Sequence, residues 1–335
     1  MKSSFNPEST EIKHKIVGGN PSGIANFAEP SRKIYKTIYD GMLARTWFPA
    51  TVDLSDDKSS VNRLSEAELR MYKLTFGKLI FNDSIVTNRI MDNFNSYVTD
   101  PIVNACLARQ SFEESLHSLS YAFIGDDVLG DLEIYDLWRT DPKLLELARH
   151  ISNNYDMFNS DNPSNEDLCI ACIASICLEG ISFPCGFLPI WALGDKMQGS
   201  SSMITEISRD ELGSHLPLYA NIYKHIQDDY DCNSLEIRYR ATALIAKQVQ
   251  VEIDFLEYST KGVLGFSKSS IVNFVHWLGN SRGREMGIGE PFNVSSSDDG
   301  LIKIFKKYSN HNETKTNFFE GSVKNYSKVT LDMDF

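Results

Sequence analysis

The sequence predicts an all-α fold, a bundle of long helices enclosing a buried dinuclear metal site. Three observations predict it. Apolar residues recur at helical spacing from about residue 30 to 286, and strand-like alternation is nearly absent. Two helix-compatible stretches, Glu114-Ser-Leu-His117 and Glu211-Leu-Gly-Ser-His215, each set a carboxylate and an imidazole on one face. Two further acids, Asp83 and Glu179, sit inside otherwise apolar helical segments, where an unpaired charge is rarely tolerated.

The elements follow in order. Residues 1–29 are polar and rich in Gly, Pro and Ser, and are expected to form a flexible N-terminal arm. A helix is expected over 30–45, broken by Trp47-Phe48-Pro49, with irregular chain to Leu64. Ser65-Glu-Ala-Glu68 is a capping box that opens a long helix to about residue 95, carrying Asp83. Pro101 suits the first turn of the next helix, which carries Glu114 and His117. Shorter helices fill 131–153, and 154–166 is loop chemistry. An apolar helix over 167–192 carries Glu179, and a kink is expected at Pro184 and Gly186. Helices over 203–228, 234–260 and 267–285 complete a domain spanning 30–286. Beyond it the periodicity stops, and residues 287–335 are expected to be a disordered C-terminal tail.

The chain has 335 residues, 42% of them hydrophobic, enough for a large buried core. A net charge of -12 argues against a sequence-independent grip on nucleic acid or on an anionic membrane. The six cysteines lie mostly within apolar runs and read as free buried thiols in a reducing, cytoplasmic setting. Cys169 and Cys172 form a CxxC with no second pair at zinc-ribbon spacing. The polar N-terminus lacks the apolar stretch of a signal peptide. The segment from Leu168 to Leu193 is long enough to cross a bilayer. Glu179 at its middle, the Pro and Gly that interrupt it and the acids that precede it favour a buried bundle helix instead.

The acids and imidazoles define the chemistry. A lone Glu-x-x-His on a helix is usually solvated surface, and Asp83 alone would be an ordinary helix acid. Together, in the order Asp83, Glu114-x-x-His117, Glu179, Glu211 and His215, they make a set for two hard cations. Carboxylate oxygens bridge the ions and neutral imidazoles complete the coordination. Four carboxylates neutralise two divalent ions, so the filled site can be buried without a large solvation penalty. This ligand set on four helices is that of the ferritin-like di-metal bundles. Dinuclear iron, dinuclear manganese and a mixed pair use the same ligand types.

At these residues the chain resembles the small, radical-generating subunit of class I ribonucleotide reductase, from about Trp47 to Phe335. The landmarks are Asp83, Glu114-x-x-His117 with Tyr121, Glu179, and the Ser-Arg-Asp-Glu run at 208–211. Leu178-Glu179-Gly180-Ile181 and Thr316-Asn-Phe-Phe-Glu320 resemble its eukaryotic-type members. The resemblance implies a stable tyrosyl radical on Tyr121, within an apolar pocket of Phe183, Phe187 and Ile207. It implies a transfer route through His117, Asp210 and Trp47, with Tyr326 as a relay near the partner. It implies a homodimer, and a tail whose end, Leu331 to Phe335, docks to the large catalytic subunit that reduces ribonucleotides. It implies activation by dioxygen or by an oxidant that an activating flavoprotein delivers. In one respect the chain departs from the pattern. The family spaces its second Glu and His by three, whereas Glu211 and His215 are four apart. Either a regular helix presents both on one face or a π-bulge absorbs the extra residue. Two other functions are alternatives: a ferritin-like oxidase of a small molecule or fatty acid, which would share all six ligands, and a metal-free scaffold for a catalytic paralogue, which lost ligands would signal and whose six ligand types all remain here.

Overall fold

The computed structural model describes residues 5–89, 94–156 and 163–310. The chain forms α1 (Lys33–Ala44), α2 (Ser55–Ser60), α3 (Glu66–Arg89), the single turn α4 (Asn95–Tyr97) and α5 (Pro101–Phe123). Then come α6 (Leu137–Thr140), α7 (Pro142–Asp156), α8 (Asn165–Cys177), α9 (Phe183–Ala192) and α10 (Gln198–Asp210). The last are α11 (Leu216–Tyr230), α12 (Leu235–Ser259), α13 (Lys268–Glu285) and α14 (Gly300–Ser309). Among the described residues there is no strand, only an isolated antiparallel bridge between Val17 and Val98.

Local chemistry sets the helix starts. The Ser65 hydroxyl accepts from the Glu68 amide while the Glu68 carboxylate accepts from the Ser65 amide, closing the capping box of α3. Asp100 accepts from the amides of Ile102 and Val103, and Pro101 supplies a first-turn residue that has no amide to satisfy. Ser164 and Asp167 cap α8 in the same reciprocal way, so this helix begins slightly before the expected 167.

Among the elements described in full, three π-helical turns interrupt the bundle: Ile124–Leu129, Leu178–Ser182 and Glu211–His215. The second joins α8 to α9 and the third joins α10 to α11. Each of these two is followed by a proline at the second residue of the resumed helix, Pro184 and Pro217. A proline there removes the amide that would continue the α register. The kink expected at Pro184 and Gly186 is thus preceded by a π-turn. Among the described residues, Asn165–Ala192 is the segment long and apolar enough to pass for a membrane span, and its apolar window is wholly buried inside the protein. It packs between α11, α12 and α3 and forms the centre of the bundle.

Two expectations are corrected. The N-terminal arm is irregular, but it is docked rather than free. Ile16 and Val17 are buried; the Ile16 amide donates to Asp229 and the Tyr230 hydroxyl donates to the Val17 carbonyl. Helical structure also resumes after 286. Asp299 caps α14, whose Leu301, Ile302 and Phe305 bury one face. Phe305 lies with its ring centroid 5.7 Å from Trp191 and 5.5 Å from Phe274. Residues 311–335, including Thr316–Glu320, Tyr326 and Leu331–Phe335, lie outside the described residues.

Candidate metal centre

Asp83 from α3, Glu114 and His117 from α5, Glu179 from the second π-turn, and Glu211 and His215 from the third meet at the centre of the bundle. All six are fully buried. Their ligand atoms form two overlapping groups, each within 4.8 Å of one another: Asp83, Glu114, His117, Glu211, and Glu114, Glu179, Glu211, His215. Glu114 and Glu211 belong to both.

His117 Nδ1 lies 3.3 Å from Asp83, 3.5 Å from Glu114 and 3.0 Å from Glu211. His215 Nδ1 lies 2.8 Å from Glu211, 3.3 Å from Glu114 and 4.0 Å from Glu179. The extra residue between Glu211 and His215 is absorbed by the π-turn, closed by a bond from the Leu216 amide to the Glu211 carbonyl. The turn widens the helix by one residue, so positions four apart face the same cluster.

The far nitrogens of both imidazoles are held by acids. His117 Nε2 meets Asp210 Oδ2 at 3.2 Å, and the same oxygen accepts from Trp47 Nε1 at 2.8 Å. His215 Nε2 meets Glu113 Oε2 at 2.9 Å, and Arg109 donates to the other Glu113 oxygen at 3.0 Å. A carboxylate behind an imidazole fixes its orientation and raises its basicity toward a cation. Gln110 Nε2 donates to Glu114 at 3.1 Å and to Glu179 at 3.2 Å. Sequence reasoning missed Glu113, Arg109 and Gln110. Their signal is positional: Arg109 and Glu113, and Gln110 and Glu114, are i, i+4 pairs on the ligand helix.

The donor set suits cations. Both Asp83 oxygens, one oxygen each of Glu114, Glu179 and Glu211, and His117 Nδ1 are buried without a hydrogen-bond partner. Buried polar atoms are rarely left so, and these converge on one point. Burial pushes the Asp83 and Glu179 carboxyls well above the usual range; neighbouring acids push them further. Burial would also raise Glu114 and Glu211, but contacts with His117 and His215 outweigh it and hold both low. For both histidines burial favours the neutral ring, and the surrounding carboxylates overcome it, raising them well above the ordinary value.

Tyr121, one turn beyond His117, is fully buried, and its hydroxyl makes no hydrogen bond. Burial, with Asp83 beside it adding to the rise, holds the phenol well above its ordinary range, so it stays protonated. The aromatic ring placed on it is Phe76, edge-on at 6.0 Å, which sequence reasoning did not single out. Phe183, Phe187 and Ile207 are all fully buried, and the two Phe rings lie 5.9 Å apart.

The same architecture recurs in known proteins. Residues 25–299 match the family model described as ribonucleotide reductase, small chain. Ribonucleoside-diphosphate reductase subunit beta of Halalkalibacterium halodurans is 27% identical, with 96% of this chain and 93% of the relative covered. That of Treponema pallidum is 29% identical over the same shares, 96% and 93%. The solved ribonucleotide reductase R2 subunit from Clostridium botulinum superposes with a TM-score of 0.85 at 26% identity, covering 92% of this chain and 98% of that one. A family match over most of the chain, and a ferritin-like bundle with carboxylates and imidazoles at its centre, agree: the chain belongs to the ribonucleotide reductase small-chain family.

Proposed function

We propose that this chain holds two iron or manganese ions, or one of each, and uses them to generate and store a radical on Tyr121 for the large catalytic subunit. The observation that carries this reading is the convergence of six buried ligands, five of them with an unpartnered atom, beside a buried, unbonded phenol. Asp83, Glu114, His117 and Glu211 would hold one ion, and Glu114, Glu179, Glu211 and His215 the other. When bound and oxidised, the metal pair supplies the one-electron oxidising power.

This chain's residues supply the rest. Tyr121 would give up an electron and its hydroxyl proton, and Asp83 beside it, ionised when it holds a metal, would be the acceptor. Phe76, Phe183, Phe187 and Ile207, none exposed, keep water and reductants from the phenoxyl. Asp210 bonds His117 and Trp47 through one oxygen, so it can take the indole proton as Trp47 gives up its electron. Trp47 is almost buried and its sequence neighbour Phe48 is exposed, so the Trp47 end of this chain lies close to the surface. Tyr326 would continue the route, and Leu331 to Phe335 would dock the tail to the large subunit. A small-molecule oxidase needs no Trp47–Asp210–His117 chain, which favours radical transfer.

The exposed Ile34 and Leu43 of α1 and Phe112 and Leu119 of α5 would be covered in a homodimer. Six free, buried cysteines suit a reducing cytoplasm, where a flavoprotein could deliver the activating oxidant. The test is to load the protein with iron(II) or manganese(II), add dioxygen or reduced flavoprotein with dioxygen, and count metals and organic radical. Two metals per chain with a tyrosyl signal are expected; one metal or none overturns the reading.

A further inference from the structure

Lys78 lies in the middle of α3 and is fully buried. An ammonium group is costly to bury, and its partners show what it holds. Lys78 Nζ donates to Glu252 of α12 at 2.5 Å and to the backbone carbonyl of Ser182 at 2.8 Å. The other Glu252 oxygen accepts from Gln248 Nε2 at 2.9 Å, and Gln248 Oε1 meets His150 Nε2 at 3.2 Å. One turn along α3, Asn82 Nδ2 donates to the Ser182 hydroxyl at 3.2 Å. Two side chains of one helix therefore grip Ser182, one by its carbonyl and one by its hydroxyl.

Ser182 closes the π-turn Leu178–Ser182 that carries Glu179, and Asn82 immediately precedes Asp83. The grip thus ties the segment bearing Glu179 to the segment bearing Asp83, ligands that belong to different metal subsites. A π-turn is a rare register that must be held against the ordinary α-helix. Loss of the extra residue would rotate the residues on one side of it by about 100°. The helices also approach closely here: a Cβ on Gly186 would lie 2.7 Å from Leu79. A buried ion pair is often no more stable than apolar residues of the same volume. Core stability alone therefore gives little reason to keep one.

We infer that Lys78 and Glu252 are positioning residues: by fixing Ser182 they hold the π-turn, and through it Glu179, in register for the second metal. This rests on the di-metal reading above.

The test is the variant Lys78→Met/Glu252→Leu, which removes both charges at similar volume, titrated with manganese(II) and followed by electron paramagnetic resonance. Wild type is expected to bind two ions and give the spectrum of a coupled pair. The variant is expected to bind the first as wild type does and the second roughly 10- to 100-fold more weakly. Its coupled spectrum is lost at manganese concentrations that saturate wild type, while its thermal midpoint is unchanged or higher. Two equally tight ions with the wild-type coupled spectrum would overturn the inference and leave the pair as core packing. Wild type binding fewer than two ions would instead overturn the di-metal reading on which it rests. If the double variant does not fold, Asn82→Leu removes only the hydroxyl grip. It should weaken the second ion by about tenfold, and unchanged binding there overturns the inference equally.

Discussion

Metal binding should displace four protons from each chain. In the metal-free cluster the surrounding carboxylates favour protonated imidazoles, burial favours neutral Asp83 and Glu179, and contacts with the imidazoles favour ionised Glu114 and Glu211. Two imidazoliums and two carboxylates give zero net charge. With two divalent ions, four carboxylates and two neutral imidazoles again sum to zero. Both states are neutral, as burial demands, and they differ by the two imidazolium protons and the two carboxyl protons. The sign follows from the raised values. A proton bound in the metal-free site must leave when metal enters, so affinity rises with pH until the raised groups titrate, and is flat above. Each displaced proton adds tenfold per pH unit to the binding constant, so filling both subsites should strengthen steeply with pH below that point. Titration calorimetry with manganese(II) at about pH 6.5, in two buffers of different ionisation heat, counts the protons directly. A count near four supports the argument. A count of about one or none would refute it, because the cluster would then be ionised before metal arrives.

Glu113→Gln, which weakens the acid behind His215, should lower affinity at that subsite roughly 10- to 100-fold in the same titration while the other subsite is retained. Trp47→Phe should assemble metals and the Tyr121 radical normally yet lose reductase turnover with the large subunit; wild-type turnover would remove Trp47 from the route. Deleting Val329 to Phe335 should likewise abolish turnover and spare the radical, and a peptide of those residues should compete with the intact chain. Full turnover by the truncated protein would end the docking proposal.

What was legible in the sequence was local. The Ser65/Glu68 box and the Asp100-Pro101 start depend on residues within one turn, and the structure places α3 and α5 there. The rotation per residue along a helix put Glu114, His117 and Tyr121 on one face before any packing was known. The spacing of Glu211 and His215 flagged an irregularity without deciding its form. An unused signal was Leu216-Pro217 after the second histidine, which repeats the Phe183-Pro184 after Glu179 that was read only as a kink. What was not legible depends on neighbours from distant segments. Phe76 and Lys78 acquire their roles from the register of α3 against α5, α9 and α12. Ile16 and Val17 sit in polar chain and are buried only because a groove near Asp229 and Tyr230 accepts them. The short apolar face of α14 was hidden by the Gly, Ser, Asn and Asp around it.

The central claim is that the buried cluster makes its radical on Tyr121. Protein prepared with ring-deuterated tyrosine should be loaded with iron(II) or manganese(II), activated, and examined by electron paramagnetic resonance beside unlabelled wild type and Tyr121→Phe. The account predicts a tyrosyl signal that narrows on deuteration and is absent from Tyr121→Phe, although that variant still binds two metals. An unchanged signal in Tyr121→Phe would contradict it and place the radical on another of the fourteen tyrosines.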